Sequence, residues 1–109
     1  MAYNEALARR VRGIVSRKKG IAEKKMFGGV GFLLNGNMLV GVWKEFLIVR
    51  LGPEVGAKAL QDPFVIEFDI TGKPMKGWVM VVPEGITDDG QLKKWIQQAS
   101  KFVETLPAK

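Results

Sequence analysis

The sequence predicts a two-layer α+β sandwich in the order αβββαββα, with a five-stranded antiparallel sheet carrying its helices on one face. Three observations point there. A segment near each end repeats apolar residues at helical spacing, short runs rich in Val, Ile, Phe and Leu lie between them, and Gly, Pro, Asn and Asp punctuate those runs.

Asn4 suits the cap of a first helix whose apolar face is Leu7, Val11, Ile14 and Val15. This helix is expected to run to about Lys19. Gly20 then fits the left-handed position that ends helices, and Arg17, Lys18 and Lys19 occupy a last turn where cations suit the helix dipole. From Lys25 the period changes, and three β-type runs follow: MFGGVGFLL, MLVGVW and FLIVRL. Asn35-Gly36-Asn37 separates the first pair and signals a hairpin, because Asn and Gly both tolerate positive φ. Lys44-Glu45 joins the second pair, which completes a three-stranded meander.

Pro53 suits the first helical position of a short helix reaching Gln61, with Val55, Ala59 and Leu60 apolar, and Asp62-Pro63 stops it. Two more strands, Phe64 to Phe68 and Gly77 to Val82, flank DITGKPMK, where Thr71-Gly72 and Lys73-Pro74 mark a loop. Pro83, Glu84 and Gly85 end the last strand. Thr87 or Asp88 caps a final helix with an apolar stripe of Leu92, Trp95, Ile96, Ala99, Phe102, Val103 and Leu106.

A chain of 109 residues reads as one domain over 1–109, able to bury roughly two-thirds of its unfolded surface. It contains neither cysteine nor histidine. Disulfides, thiolate nucleophiles, Cys-based metal sites, the usual zinc ligands and the side chain best suited to proton transfer near neutral pH are therefore excluded. Only carboxylates, lysines and one tyrosine remain for acid–base work. The expectation is no enzyme activity, no cofactor and no metal. The amino terminus has no apolar core behind its charges, and no run approaches the ~18 apolar residues of a membrane span. The expected location is cytoplasmic, with no membrane partner.

The net charge of +6 is concentrated at one end. Residues 1–25 carry Arg9, Arg10, Arg12, Arg17, Lys18, Lys19, Lys24 and Lys25 against Glu5 and Glu23, and the rest of the chain is balanced. These eight side chains are candidate nucleic-acid contacts through counterion release. A basic face is otherwise simply solvated, and the aromatic residues that stack bases are missing from the segment apart from Tyr3.

Gly28, Gly29 and Gly31 resemble a phosphate loop only superficially, since such loops lead from a strand into a helix and here a strand follows. Glycines inside a strand mark a bulge or the close approach of another backbone. The loop 69–78, with Thr71, Gly72, Lys73 and Lys76, and with Arg50 as a further cation, is a candidate anion site through its N–H groups and lysines. Its Asp and Thr side chains serve equally to satisfy their own turn. Glu67 and Asp69 lie two apart in or beside a strand, with nothing converging on them. Asp88-Asp89 reads as helix capping. Trp43, Trp78 and Trp95 belong to the core unless exposed, in which case they mark a contact surface.

The segments KKMFGGVGFLLNGNMLVGV (24–42), LIVRLGPE (47–54), FDITGKPMKGWVMVVPEG (68–85) and the closing LKKW…FVETLPAK together resemble the TfoX N-terminal domain family, associated with the regulator of competence-specific genes. The likeness covers nearly the whole chain, from about Tyr3 to Lys109. It implies an α+β fold related to folds that pair as dimers, and a regulatory rather than an enzymatic role. Full-length regulators of the family carry a second, helical domain and act with a transcription factor of the cyclic-AMP receptor type to switch on DNA-uptake genes; this chain is expected to lack that domain. The matching positions Met26, Phe27, Gly28, Gly29, Gly36, Asn37, Met38, Arg50, Gly72, Pro74, Met75, Lys76 and Gly77 form a signature with no catalytic residues to carry over. The leading expectation is a small regulatory module working through protein contacts as a homodimer, with a transcription factor as a possible partner. The alternative is a weak nucleic-acid-binding module using Arg9 to Lys25, and the third is a small-molecule binder around Lys73, Lys76 and Arg50.

Overall fold

The computed structural model describes residues 3–26, 28–68 and 75–108. Helix α1 (Glu5–Val15) is followed by strands β1 (Ile21–Met26), β2 (Gly29–Leu34), β3 (Asn37–Trp43) and β4 (Phe46–Arg50). Helix α2 (Pro53–Ala59), strands β5 (Val65–Glu67) and β6 (Trp78–Val81), a 3-10 turn (Pro83–Gly85) and helix α3 (Asp89–Val103) complete the order. All neighbouring strands are antiparallel, in the order β1-β2-β3-β4-β6-β5.

The sheet therefore has six strands, where the sequence pattern predicts five. The additional one is β1. Its sequence, IAEKKM, has no β-type alternation because it is an edge strand, and charged side chains on an edge discourage pairing with another chain. The run read as a single strand from Met26 to Leu34 is divided by a tight turn, since Met26 pairs with Gly29 and Gly28 stands at φ +75°. Helix α1 also stops at Val15, one turn short of the expected Lys19. Gly20, at φ +81°, does not cap that helix; it opens the β1 hairpin, where its carbonyl accepts from the Asn35 N–H.

Elsewhere local chemistry and structure agree. Asn4 Oδ1 accepts from the Leu7 N–H at 3.0 Å to cap α1. Asn35 and Gly36 both have positive φ in the two-residue β2–β3 hairpin. Asp88, not Thr87, caps α3: its carboxylate accepts from the Gln91 N–H at 2.8 Å, and the Gln91 side chain accepts from the Asp88 N–H at 3.3 Å.

Helices α1 and α3 cover one face of the sheet. Leu7, Val11 and Val15 of α1 and Leu92, Ile96 and Val103 of α3 meet Phe32, Val40, Leu47, Val49 and Val81 in one buried core. Each fully buried Leu, Ile or Phe there contributes on the order of 1.5–3 kcal/mol by leaving water. A bulge shapes the centre: Phe32 pairs with Val40 but Leu33 pairs with Met38, so Leu39 is an extra residue. Leu39 and Val40 are in consequence both completely buried in the helix-covered core.

Candidate functional site

The same pleat that points Leu47, Val49, Val79 and Val81 at the helices sends Phe46, Ile48, Arg50, Trp78 and Met80 to the opposite face. There Ile48, Phe68 and Met80 form a second apolar cluster, bordered by half-buried Trp43, Phe46 and Trp78. No side chain of α1 or α3 joins it. Trp43 and Phe46 stack with centroids 6.1 Å apart, and Phe68 and Trp78 do so at 5.7 Å. Ile66, paired with Met80 across the β5–β6 ladder, is 40% exposed at one margin. Two cations lie against the rings: Lys44 Nζ is 4.6 Å from the Trp43 centroid, and Arg50 Cζ is 5.0 Å from that of Trp78. Of the three tryptophans, only Trp95 joins the helix-side core, its indole N–H donating to the Gly85 carbonyl at 3.3 Å.

Helices on one face of the sheet already imply an open face, and the sequence pattern also carries a signal for which strands are apolar on it. FLIVR and WVMV carry apolar residues at successive positions instead of alternating with polar ones, the pattern of strands covered on both sides.

The eight basic residues of the amino-terminal segment are not one surface. Arg12 on α1 and Glu23 on β1 form a bidentate pair, Nε to Oε1 at 2.7 Å and Nη2 to Oε2 at 2.8 Å. The hydrogen bonds from Arg12 hold the Glu23 carboxyl below the usual carboxylate range and raise the Arg12 guanidinium in turn. Arg10 Nε donates to Asp89 Oδ1 at 3.1 Å, tying α1 to the start of α3, and Lys18 Nζ stands 3.9 Å from Glu104. Arg9, Arg17, Lys19, Lys24 and Lys25 have no ion-pair partner among the described residues. Lys24 and Lys25, on adjacent positions of β1, point to opposite faces of the sheet.

Of the candidate anion site, Thr71, Gly72 and Lys73 lie outside the described residues, as does Asp69 of the carboxylate pair. Lys76 is exposed and borders a shallow recess of about 220 Å³ with Glu67, Gly77 and Trp78. Arg50, whose Cζ is 5.0 Å from the Trp78 centroid, is not among the residues lining that recess. A larger cleft of about 670 Å³ opens between α2 and α3, lined by Leu51, Gly52, Pro53, Glu54, Val55, Gln98, Lys101 and Phe102.

The glycines of the first hairpin have a structural explanation. A Cβ on Gly29 would run into the Val42 carbonyl oxygen of β3, so the residue is the site of a close backbone approach. Gly28 supplies the positive φ of the turn. Among the described residues no group of His, Cys, Asp or Glu side chains is placed to hold a metal, and no helix is long and apolar enough to cross a membrane.

Comparison with known proteins agrees with the motifs. The model of the TfoX N-terminal domain matches residues 14–103. That span runs from the end of α1 to the end of α3 and includes all six strands. None of the curated proteins and none of the solved structures matches the chain. With most of its length matched by a family of regulatory-type domains, the chain belongs to the TfoX N-terminal domain family.

Proposed function

We propose that this chain is a non-enzymatic regulatory module that works through protein–protein contacts in the cytoplasm and pairs with a second copy of itself across the helix-free face of its sheet. One observation carries the reading: the interior strands β4 and β6 are apolar on both faces, and α1 and α3 cover only one. The sheet edges are poor alternatives. Strand β1 presents Glu23, Lys24 and Lys25, and β5 has only three residues.

Strands ~4.8 Å apart, rising ~3.3 Å per residue, give this face a footprint of roughly 25 by 17 Å. That is small beside the ~800 Å² per partner of a standard stable interface, so association in the micromolar range is expected. Light scattering between about 1 and 100 μM should show the mass rising to that of a dimer, and a constant monomer mass would end the reading. A transcription factor is the further partner, and control of DNA-uptake genes the process, that the family resemblance brings to the proposal.

A second reading rests on the unpaired cations. Arg9, Arg17, Lys19, Lys24 and Lys25 would attract a nucleic-acid backbone weakly and in a salt-dependent way. Gel retardation at low salt that is lost in the Arg9→Gln/Arg17→Gln/Lys19→Gln variant supports it, and no retardation by the wild type removes it.

A further inference from the structure

Helix α3 gives one face to the core and leaves a second open. Leu92, Ile96, Ala99 and Val103 are buried. Beside them Gln91, Trp95, Gln98 and Phe102 recur at i, i+4, i+7 and i+11, the spacing of another stripe along the same helix. All four are half-buried, and all four line open clefts. The cleft of about 670 Å³ lies between Phe102 and the first turn of α2, where Pro53 and Val55 are exposed. A second, of about 380 Å³, lies between Trp95 and the turn Asp62-Pro63-Phe64, where Phe64 is 39% exposed. Gln98 lines both, so the two run together as one groove along α3. From Gln91 to Phe102 the groove follows about 16 Å of helix, roughly three turns.

Its lining is apolar and its two rims carry opposite charge. Val55, Phe64, Trp95 and Phe102 supply the apolar surface, and Phe102 rests on Gly52, where an added Cβ would lie 2.6 Å from its Cδ1. Each cleft has one lysine on the α3 side and one carboxylate on the other: Lys101 with Glu54, and Lys94 with Asp62. Both lysines are exposed and neither has an ion-pair partner among the described residues. They stand two helical turns apart, about 10.5 Å. A compact ligand does not span such a surface, whereas an α-helix does. Its apolar ridge repeats over the same three turns, and side chains seven residues apart on its flank meet Lys94 and Lys101 together. A second copy of this chain has no described helix to offer. The apolar faces of α1 and α3 are turned into the core or into the groove itself, and α2 has only seven residues.

We propose that this groove binds an amphipathic α-helix of a different protein, one whose apolar ridge is bordered by carboxylates on the α3 side and by lysines or arginines on the α2 side. The groove is separate from the helix-free face, and its use does not depend on dimer formation.

The test is a titration of the full ¹⁵N-labelled chain, followed by NMR, with three acetylated peptides of identical composition and about 18 residues. The first has leucines at i, i+4, i+7 and i+11, with glutamates along one flank of that ridge and lysines along the other. The second keeps the ridge and mixes the charges on both flanks, and the third disperses the leucines around the helix. The first is expected to give saturable shifts at the amides of Val55 and Gln98 and at the Trp95 indole N–H, with a dissociation constant of ~10–100 μM. Loss of the charge match should weaken the second by about fivefold, and the third should give no saturable shift. Lys94→Glu/Lys101→Glu, made at exposed positions, should weaken the first peptide by about tenfold and remove its advantage over the second. No saturable shift with the first peptide, equal binding of the second or third, or undiminished binding by a folded Lys94→Glu/Lys101→Glu variant would each overturn the assignment. Should that variant fail to fold, the three-peptide comparison on the wild type decides alone.

Discussion

Arg12 on α1 and Glu23 on β1 lie face to face with two parallel N–H···O bonds, at 2.7 and 2.8 Å. They meet because Glu23 stands opposite Phe32 on the helix-covered side of an edge strand. Both side chains are partly exposed, 49% for Arg12 and 34% for Glu23, so solvent screens the pair and its contribution is about 0.5–1 kcal/mol. The folded-state pKa of Glu23 is depressed, so this contribution is fully present above the unfolded value near 4.5 and is lost as pH falls through the lower folded value. Urea unfolding at pH 7 should show Glu23→Gln destabilised by that amount, with wild type and variant converging at low pH.

Two glycines give opposite expectations for the same substitution. Gly29→Ala places a methyl group on the Val42 carbonyl oxygen and should cost about 1–3 kcal/mol by forcing β2 and β3 apart. Gly13 lies inside α1 with open space where its Cβ would be, so Gly13→Ala should stabilise by about 0.5–1 kcal/mol. Chemical denaturation of the two variants beside the wild type measures both.

Asn37, buried at the start of β3, donates from Nδ2 to the carbonyl of Pro107 at 2.9 Å and so fastens the chain beyond α3 to the sheet. Asn37→Ala leaves that carbonyl without its donor and should cost about 1–3 kcal/mol. Hydrogen exchange should quicken at residues 104–108 more than in β5 and β6.

The helices and hairpins could be read from the sequence because their chemistry is local. Asn4, Asn35-Gly36 and Asp88 act within three residues of themselves. Strand β1 was not readable, since an edge strand of Ile-Ala-Glu-Lys-Lys-Met is specified by its partner β2 and not by its own pattern. The pairing of charges within the basic segment was hidden for a related reason. Arg10 and Asp89 are far apart in sequence, and only packing of α1 on α3 shows that part of the basic segment is already paired. The two-sided apolar strands β4 and β6 were visible as runs, but which face the helices leave open is fixed by the fold.

The most direct test of the helix-free face as an association surface is sedimentation equilibrium of Ile66→Lys beside the wild type and Val55→Lys, a control on α2 whose side chain is as exposed as Ile66. A charge at Ile66 enters the margin of the face opposite the helices, and Val55 lies away from it. The account expects the wild type and Val55→Lys to dimerise at micromolar concentration and Ile66→Lys to remain a folded monomer. A wild-type monomer throughout, or an Ile66→Lys dimer as strong as the wild type, would contradict it.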